Sequence, residues 1–593
     1  MVDINYPVCC VLGHIDVGKT KFLDKLRNSN VQLKEIGGIT QEIGSTFFDK
    51  HFLLDMTKCI TSLNLDISGL IMIDTPGHDC FTQMRMTGVK IAHLAIVIVD
   101  IVKGLEKQTI QCIELLKQYN TNFIIALNKI DKIFGWNPGK DLTLKKTFEK
   151  QSKQCMILFR DYIKKISTQL AELEINALPY YENSNYKEYI SMVPISAQSG
   201  EGLPDLIMMI SHMTSKNIIK DGQYNLKNYN YGFILDIKKD DKYGVVYHSI
   251  FMNGKIKKGD ELLIESNSSL IDITIKDILI PENQNEMKSK MSLQPIDNIN
   301  ITKGIALKFA NSDLENSINI GGLFVVKTEN NKDILREIMT RSISKAKKYK
   351  FGKKGIIINV PSKSMADAVV EIMQEKPEIK IKLINVGIIN KMLISKVSKF
   401  DDTEKNSVDN IYNKKFRVIL DYNCNYKDDD DIKKFYDAEI INFANENDVY
   451  IMNTNTVYKL FDKYNAHIEE INTKIRLMYP NIVNNFRLEI LPKYVFLKKM
   501  PLLMGVKIIN GKIKKNNMIM AYDNEKKIIL GNIVGIQKNN KNIEEAEKTE
   551  VCIKIEGDNN IEFGKHFDEK WKLCHYMTDH EIIIQKKFYD SFK

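Results

Sequence analysis

The chain has 593 residues, of which 44% are hydrophobic and 27% are charged. At about 150 residues per domain, this length predicts roughly four domains and argues against a single module. The composition excludes a chain that is disordered throughout. The 85 basic and 75 acidic residues leave a net charge of +10, a modest excess that permits an anionic partner such as RNA without requiring one.

The nine cysteines are scattered along the chain, and no two of them form a C-x-x-C pair. An odd, dispersed set supports neither a disulfide framework nor a structural zinc site, so we expect a reducing compartment. The first residues lack the basic and then apolar pattern of a secretory signal. The most apolar stretch, residues 91–102, is too short to span a bilayer. We therefore expect a soluble, intracellular protein without a membrane partner.

The first predicted strand, residues 8–12, leads into a glycine-rich loop and then into a helical pattern. The loop reads G-H-I-D-V-G-K-T, which matches the G-x-x-x-x-G-K-T of a phosphate-binding loop; an isolated match can also be a glycine-bearing turn. Here Lys19 would reach the β and γ phosphates, and the Thr20 hydroxyl would bind Mg²⁺. The predicted nucleotide-binding residues in this loop are Gly13, His14, Ile15, Asp16, Val17, Gly18, Lys19 and Thr20.

A second predicted strand, residues 70–73, ends in the sequence D-T-P-G-H-D. A carboxylate at the carboxyl end of a neighbouring strand suits magnesium, so Asp74 is a predicted Mg²⁺ ligand that acts through water. Gly77 has no side chain, so its N–H can meet a γ-phosphate directly. A lone histidine is more often structural, but the position of His78 beside Gly77 suits a residue that orients water. We predict that Gly77 binds nucleotide and that His78 is catalytic.

Two later strands carry the residues that would select the base. N-K-I-D follows the strand at residues 123–127. Asp131 can accept two hydrogen bonds from the N1–H and the N2 amino group of guanine, which adenine cannot supply. Asn128 would tie this loop to the phosphate loop, and the stem of Lys129 can cover the base. S-A-Q follows the strand at 192–195, and its backbone can face guanine O6. The predicted nucleotide is therefore GTP, with further binding residues Asn128, Lys129, Asp131, Ser196, Ala197 and Gln198.

Between the first two motifs lies the sequence G-G-I-T-Q-E-I-G, at residues 37–44. Glycines on both sides of Thr40 predict a mobile segment that becomes ordered when Thr40 reaches Mg²⁺ and the γ-phosphate. A flexible surface loop is the alternative interpretation.

Together these motifs resemble those of the translational GTPases, and most closely the family of eukaryotic and archaeal initiation factor 5B, which is related to bacterial initiation factor two. F-G-W at residues 134–136 and the Asp16-Val17 pair resemble the 5B branch. The resemblance implies GTP or GDP with Mg²⁺ as cofactors. It also implies that Asp16 helps to bind a monovalent cation beside the phosphates, and that His78 is the catalytic histidine.

The resemblance continues in order to the C-terminus and implies a multidomain fold. We expect an α/β P-loop GTPase domain, a β-barrel, a small α/β/α domain, a long connecting helix and a C-terminal β-barrel that carries terminal helices. Independently, β-branched residues with Asn-Gly and Lys-Gly turns indicate the first barrel, and apolar spacings of three and four indicate the helix. The expected bounds are 1–224, 225–330, 331–456, 457–480 and 481–593.

The function that the resemblance implies is that of a translation initiation GTPase. Such a protein binds both ribosomal subunits with their RNA and initiator Met-tRNA, promotes subunit joining, and leaves after ribosome-stimulated GTP hydrolysis. In the family, the last domain contacts initiator tRNA and initiation factor 1A. We expect a cytoplasmic protein that is monomeric off the ribosome. Two alternatives stay open: another translational GTPase of the elongation or tRNA-delivery type, and a GTP-gated ribosome-binding module without significant turnover.

Six lysines crowd the region between the first barrel and the α/β/α domain. A solvated helix face is one interpretation, and a contact with the ribosomal RNA backbone is the other. They are Lys345, Lys347, Lys348, Lys350, Lys353 and Lys354.

Overall fold

A computed structural model describes most of the chain. The residues described are 6–27, 40–60, 65–78, 81–139, 143–215, 226, 229–266, 269–282, 286–287, 292–311, 317–328, 335–336, 339, 352, 354–374, 379–398, 408–423, 436–454, 457–483, 486–523, 526–539 and 541–592. Residues 37–39 of the segment before Thr40, and all of the lysine cluster except Lys354, lie outside the described residues.

The first sheet is built from strands that are buried along nearly their whole length. Seven of its eight strands are β1 (Val8–Gly13), β2 (Gly44–Asp49), β3 (Gly69–Asp74), β4 (Leu94–Asp100), β5 (Asn122–Asn128), β6 (Ala177–Pro179) and β7 (Ile190–Pro194). These seven lie in the order β2-β3-β1-β4-β5-β7-β6, and among them only the pairing of β2 with β3 is antiparallel. Such continuous apolar runs are typical of a parallel sheet covered on both faces.

Helices connect these strands, and the predicted motifs follow the carboxyl ends of β1, β3, β5 and β7. The helices are α1 (Lys19–Arg27), α2 (Lys50–Met56), α3 (Thr82–Ile91), α4 (Lys107–Gln118), α5 (Leu144–Glu149), α6 (Lys153–Glu172) and α7 (Leu203–Ser215). Carboxyl ends of parallel strands meet at one edge of a sheet, which is where open α/β sheets bind ligands. The four motifs therefore converge at one edge.

A closed antiparallel barrel follows the first sheet. Its strands are β8 (Tyr231–Asp240), β9 (Gly244–Asn253), β10 (Ile256–Lys257), β11 (Glu261–Glu265), β12 (Leu270–Pro281), β13 (Glu286–Met287), β14 (Leu293–Ile296), β15 (Asn298–Ile299), β16 (Lys303–Phe309) and β17 (Leu323–Val326). The ring runs β11-β17-β8-β9-β16-β12 and closes where β12 pairs with β11. Short β13 leaves the barrel and pairs with β2, so it extends the first sheet at that edge.

A small parallel sheet comes next along the chain. Its strands are β18 (Ile356–Val360), β19 (Ile381–Val386), β20 (Val418–Tyr422) and β21 (Tyr450–Thr454), in the order β19-β18-β20-β21. The helices in this stretch are α8 (Lys363–Gln374), α9 (Lys391–Ser398), α10 (Val408–Asn413) and α11 (Ala438–Glu446).

The last part of the chain forms a long helix and a second closed barrel. Two helices come first, α12 (Val457–Met478) and α13 (Pro480–Val483). The strands are β22 (Arg487–Leu497), β23 (Leu502–Asn510), β24 (Lys512–Lys514), β25 (Met518–Tyr522), β26 (Lys527–Lys538), β27 (Lys541–Ile543), β28 (Glu545–Glu547), β29 (Glu550–Glu556) and β30 (Lys572–His575). The ring β25-β30-β22-β23-β29-β26 closes through β25 and β26. The chain ends in α14 (Asp579–Lys587) and α15 (Tyr589–Phe592).

This architecture confirms the predicted fold class. The helix that periodicity predicts is present and spans Val457–Met478, within the range 457–480 expected for the connecting helix. By contact density the chain forms two compact units, residues 1–397 with 418–460, and residues 398–417 with 461–593. That division differs from the five predicted domain ranges, which stay predictions. None of the helices within the described residues combines the length and the apolar character needed to cross a membrane.

A small apolar cluster in the second unit holds the C-terminal helices in place. Helix α14 begins with a capping box, in which the side chain of Thr578 accepts from the Glu581 N–H and the Glu581 side chain accepts from the Thr578 N–H. Ile584 and Phe588 are then buried together with Ile482. A cap contributes only about 1 kcal/mol, so the packing of Ile584 and Phe588 supplies most of the local stability.

We predict that Ile584→Ala loosens this end of the chain and that Ile583→Ala does not. Ile584 is 8% exposed, whereas its neighbour is 61% exposed. Truncation of a buried isoleucine typically costs about 2–5 kcal/mol, and truncation at an exposed position about 0.5 kcal/mol or less. Amide hydrogen exchange should therefore accelerate in α14 and α15 for Ile584→Ala alone. Equal protection in the two variants would contradict this account of the cluster.

Candidate nucleotide-binding site

The four predicted motifs surround one cavity in the first unit, with a volume of about 260 Å³. Thirteen of the eighteen predicted site residues line it. The cavity is lined by Ile15, Asp16, Gly18, Lys19, Thr20, Lys21, Thr40, Gly77, His78, Asn128, Lys129, Asp131, Lys132, Ala197 and Gln198. The sequence therefore predicted which loops meet here, although the nucleotide-binding roles of these residues stay predictions.

The loop after β1 curls in a way that its sequence explains. Gly13, Asp16 and Gly18 all have positive φ, at 147°, 63° and 94°. A Cβ on Gly13 would lie 2.5 Å from the carbonyl oxygen of Ile98, and one on Gly18 would lie 2.7 Å from Nδ2 of Asn128. Both positions need glycine for conformation and for space, as a loop that wraps a phosphate with its N–H groups requires.

The ammonium group of Lys19 lies inside this loop. Its Nζ donates to the carbonyl oxygens of Gly13 at 2.8 Å and of His14 at 2.6 Å. Burial lowers the pKa of Lys19 to about 8, because a charged ammonium loses hydration there. Gly77 faces the same atom, and a Cβ on Gly77 would lie only 2.3 Å from Nζ. The site thus keeps a buried cation beside a bare backbone, an arrangement suited to an anionic phosphate.

The three residues predicted to serve Mg²⁺ through side-chain oxygens meet at one point. The hydroxyls of Thr20 and Thr40 are 2.8 Å apart, and the Thr40 hydroxyl lies 3.5 Å from Oδ2 of Asp74. All three residues are less than 7% exposed. Two hydroxyls and a carboxylate are hard oxygen donors of the kind that Mg²⁺ prefers, and neighbouring ligands of octahedral Mg²⁺ are about 2.9 Å apart. The donor set therefore fits the ion.

The loops predicted to select the base are tied together by one buried amide. Asn128 donates from Nδ2 to the carbonyl oxygen of Val17 at 2.7 Å and accepts at Oδ1 from the Ala197 N–H at 2.9 Å. Its contact with the phosphate loop is the one that the sequence predicted. The Ser196 hydroxyl donates to Oδ1 of Asp131 at 2.5 Å. The N-K-I-D loop and the S-A-Q loop therefore form one bonded unit at the cavity.

Besides its predicted role of covering the base, Lys129 makes contacts that the sequence did not predict. Its φ of 69° is left-handed. Its Nζ donates to the carbonyl oxygen of Asp16 at 2.7 Å and lies 2.7 Å from Oδ2 of Asp100. Lys129 holds the pKa of the Asp100 carboxyl below its usual value, against the opposing effect of burial. The side chain is thus anchored at both loops while its stem lines the cavity.

His78 lies at the cavity wall, half-buried, on a backbone fixed by a residue that the motifs did not reveal. The buried guanidinium of Arg85 donates from Nη1 to the carbonyl oxygens of Pro76 and Gly77, at 3.4 Å and 3.1 Å, and to that of His78. The imidazole contacts the ring of Phe81 edge-on, at 6.5 Å between centroids. Arg85 therefore sets the path of the backbone from which His78 projects. No sequence motif predicts that an arginine in a helix will be buried in this way.

The residues directly after Thr40 contact two other parts of the first unit. Glu42 forms a buried ion pair with Lys238 of β8, at 3.0 Å. Gln41 accepts from the phenolic hydroxyl of Tyr422, at the end of β20. The position of Thr40 is therefore physically connected to the first barrel and to the small parallel sheet.

Five predicted residues do not line the cavity. Gly13 and Asp74 lie directly behind lining residues, since they contact Lys19 and Thr40. Val17 is 1% exposed in the core, and Ser196 contacts Asp131. The ring of His14 faces Glu106, with Nε2 3.6 Å from Oε1. Two lysines that the sequence motifs did not predict as site residues also line the cavity, namely Lys21 and Lys132.

The fold and this set of loops define a P-loop GTPase. Comparison with known proteins agrees, because the elongation factor Tu GTP-binding domain family matches residues 5–216 and elongation factor Tu domain 4 matches residues 486–573. A probable translation initiation factor IF-2 from Metallosphaera sedula is 30% identical over 100% of this chain and 94% of its own length. The chain belongs to the initiation factor 5B and IF-2 family of translational GTPases.

Two further proteins are similar to this chain. Eukaryotic translation initiation factor 5B from Schizosaccharomyces pombe is 31% identical over 98% of this chain, which covers 53% of that protein. The chain thus spans about half the length of the eukaryotic relatives that it matches. The crystal structure of GDP-bound aIF5B from Aeropyrum pernix is 25% identical, covers 99% of this chain and 94% of its own, and has a TM-score of 0.49.

We predict that binding of GDP takes up protons in alkaline solution, because Lys19 has a pKa of about 8 and phosphate oxygens raise it. Above that pH, free protein holds neutral Lys19 and bound protein holds the cation, so affinity falls as pH rises past about 8. At pH 7 Lys19 is already protonated and contributes no uptake. Calorimetry in two buffers of different ionisation enthalpy should show uptake approaching one proton at about pH 9. Uptake that is absent at pH 9, or equal at pH 7, would contradict this assignment.

Proposed function

We propose that this chain is a translation initiation GTPase that binds GTP with Mg²⁺ in the described cavity and hydrolyses it on the ribosome. The observation that carries the proposal is the meeting of Thr20, Thr40 and Asp74 beside Lys19 and His78. Family membership supports the same activity, since it rests on a relative matched over nearly its full length.

Guanine selection is proposed for the opposite end of the cavity. The Asp131 carboxylate accepts the N1–H and N2 amino hydrogens of guanine, and the Ala197 and Gln198 backbone faces O6. Lys19 and the N–H groups of the phosphate loop bind the β and γ phosphates. Thr20 and Thr40, with Asp74 behind them, would hold Mg²⁺, which when bound would supply positive charge at the phosphates. Asp16 is the proposed ligand of a monovalent cation at the same loop.

Hydrolysis is assigned to His78 as the residue that orients water. The water oxygen bonds to the γ phosphorus and one water proton passes to a phosphate oxygen, while the bond from that phosphorus to the bridging oxygen breaks with its electron pair left on GDP; the products are GDP and inorganic phosphate. Arg85 keeps the backbone of residues 76–78 in place during this step, because it binds three consecutive carbonyl oxygens there. The half-buried His78 reaches its productive position on the ribosome, so the isolated protein hydrolyses GTP slowly.

We propose that the structural change caused by loss of the γ-phosphate is transmitted through Gln41 and Glu42. When Thr40 loses its contact with the γ-phosphate, the two residues that follow it bear directly on Lys238 and Tyr422. Leaving one partner of a buried ion pair uncompensated is costly, so displacement of Glu42 should also displace Lys238. A change at Thr40 is thus converted into a change at the barrel and the small sheet.

The ribosomal role is proposed from the family. We propose that the protein acts in the cytoplasm, binds both ribosomal subunits and initiator Met-tRNA, promotes subunit joining, contacts initiation factor 1A through the C-terminal barrel and helices, and is a monomer off the ribosome. A tRNA-delivery or elongation factor remains the alternative within the class. The second alternative is a GTP-gated ribosome-binding module without significant turnover.

The test is multiple-turnover GTP hydrolysis by the purified chain, alone and with small, large and combined ribosomal subunits. We expect slow turnover alone and strong stimulation that requires both subunits. Stimulation by one subunit only would favour another kind of translational GTPase. Tight GTP binding without stimulation by any ribosomal particle would overturn the ribosomal assignment and leave the nucleotide site in place.

We predict that His78→Ala keeps near-normal GTP affinity and loses most ribosome-stimulated hydrolysis. The imidazole is proposed to hold the water and not the nucleotide, and a positioned group of this kind contributes about 10²–10⁴-fold. Equilibrium binding and single-turnover hydrolysis measure the two quantities separately. His51→Ala is the matched control, because His51 is exposed on α2 of the same unit and should change neither. If His78→Ala instead lost affinity at unchanged turnover, the residue would be structural.

A further inference from the structure

A buried carboxylate behind the base-selecting loops joins two segments whose bonded residues, Trp136, Gly139 and Ser199, do not line the cavity. Glu201, just before α7, is only 4% exposed. Its Oε1 accepts from Nε1 of Trp136 at 3.3 Å and from the Gly139 N–H at 3.0 Å. Its Oε2 accepts from the Ser199 hydroxyl at 2.5 Å. Both oxygens are therefore bonded, one toward each loop.

From Ser199 the hydrogen bonds continue to the cavity. The Ser196 hydroxyl accepts from the backbone N–H groups of Gln198 and Ser199, at 3.3 Å and 3.1 Å. The same hydroxyl donates to Oδ1 of Asp131 at 2.5 Å. A hydroxyl whose acceptor side is occupied has its hydrogen directed elsewhere, here to the carboxylate. The direction of the Asp131 carboxylate thus depends on where the loop of residues 196–199 is held.

The other end of the chain of bonds is anchored by packing. Trp136 is 9% exposed, and its ring packs against Phe148 and Phe159, with centroids 6.3 Å and 6.0 Å away. Gly135, just before it, has a left-handed φ of 78°. The Trp136 indole is therefore held firmly, with its N–H directed at Glu201. Such a buried aromatic with a bonded N–H is a rigid support.

We propose that Glu201, together with Trp136, is a positioning residue for guanine selectivity: it fixes the loop of Ser196 and Ser199, which aims the Asp131 carboxylate at the base. The inference rests on the proposed binding of guanine nucleotides by Asp131. Two hydrogen bonds to the N1 and N2 edge require both carboxylate oxygens in the plane of the base. A carboxylate that can rotate loses one bond before it loses the nucleotide.

Inosine diphosphate (IDP) separates this role from a structural one, because hypoxanthine keeps N1–H and lacks the N2 amino group. Wild-type protein should bind GDP more tightly than IDP. In Glu201→Ala, and in Trp136→Phe, which keeps an aromatic ring and loses the N–H, the affinity for GDP should fall more than that for IDP. Loss of one such hydrogen bond corresponds to about a fivefold fall in the ratio of the two affinities. Calorimetry on the full chain measures both constants.

Asp205, four residues further along the chain and within α7, provides the matched control. It is as buried as Glu201, at 4% exposed, and its carboxylate accepts from the Tyr180 hydroxyl at 2.5 Å and the Leu144 N–H at 3.4 Å. Neither partner belongs to the base-selecting loops. Asp205→Asn should lower the melting temperature and leave the ratio of GDP to IDP affinity unchanged.

The possible outcomes distinguish failure of the positioning role from failure of the proposed nucleotide specificity. An unchanged ratio in Glu201→Ala, or an equal fall in Asp205→Asn, would overturn the positioning role. If Glu201→Ala does not fold, Ser199→Ala decides, since it removes the same connection at a less buried residue, and an unchanged ratio there would overturn the proposal. A wild-type chain that bound ADP as tightly as GDP would instead overturn the proposed nucleotide specificity, which is a separate failure.

Discussion

The Asn128 side chain is the interaction on which the rest of the site depends. Its amide is 1% exposed and bonds the phosphate loop on one side and the Ala197 loop on the other. Asn128 ends β5, so the parallel sheet fixes its position, and the two loops take their separation from it. The glycine at position 18 follows from the same contact, because a Cβ there would collide with Nδ2. One amide thus sets the distance between the phosphate end and the base end of the cavity.

A second set of bonds gives the site a connection to the rest of the first unit. Thr40 meets Thr20 and Asp74 at the phosphate end, while its neighbours Gln41 and Glu42 contact Tyr422 and Lys238. The three-residue segment 40–42 therefore contacts the phosphate end of the cavity, the first barrel and the small parallel sheet. Because packed interfaces tend to be bistable, the proposed transmission from Thr40 needs only a small displacement of that residue. The same segment carries no glycine after position 40 until Gly44, which favours transmission along it.

The sequence was sufficient for the parts of the site that depend on local geometry. Gly13, Gly18 and Gly77 could be predicted because each is required by a turn or by close approach. Lys19 and Thr20 could be predicted because they directly follow Gly18, and Asp131 because it ends the N-K-I-D sequence after β5. The strands were readable because continuous apolar runs of strand length precede each motif. Local rules therefore predicted the loops and their order around the cavity.

The contacts between distant residues were not predictable in this way. Gln41 and Tyr422 are 381 positions apart, and Lys238 and Glu42 are 196 apart. No local periodicity relates such pairs.

From the sequence, Arg85 and Glu201 look like ordinary helix and turn residues. In the structure, Arg85 is buried against backbone carbonyl oxygens and Glu201 against hydrogen-bond donors. The contacts that could not be predicted are therefore of one kind: they are made by buried polar side chains whose partners come from elsewhere in the fold.

Lys19 shows why those unseen partners matter for function. Its burial destabilises the cation, and the carbonyl oxygens of Gly13 and His14 offset only part of that cost, since the pKa remains lowered. An anion bound beside Lys19 recovers the remainder, so the free energy of nucleotide binding includes relief of a cost built into the fold. That relief is largest where the bound anion carries most charge. We therefore expect the loop around Lys19 to favour a nucleotide with more phosphate groups, while the proposed selectivity for the base rests separately on Asp131.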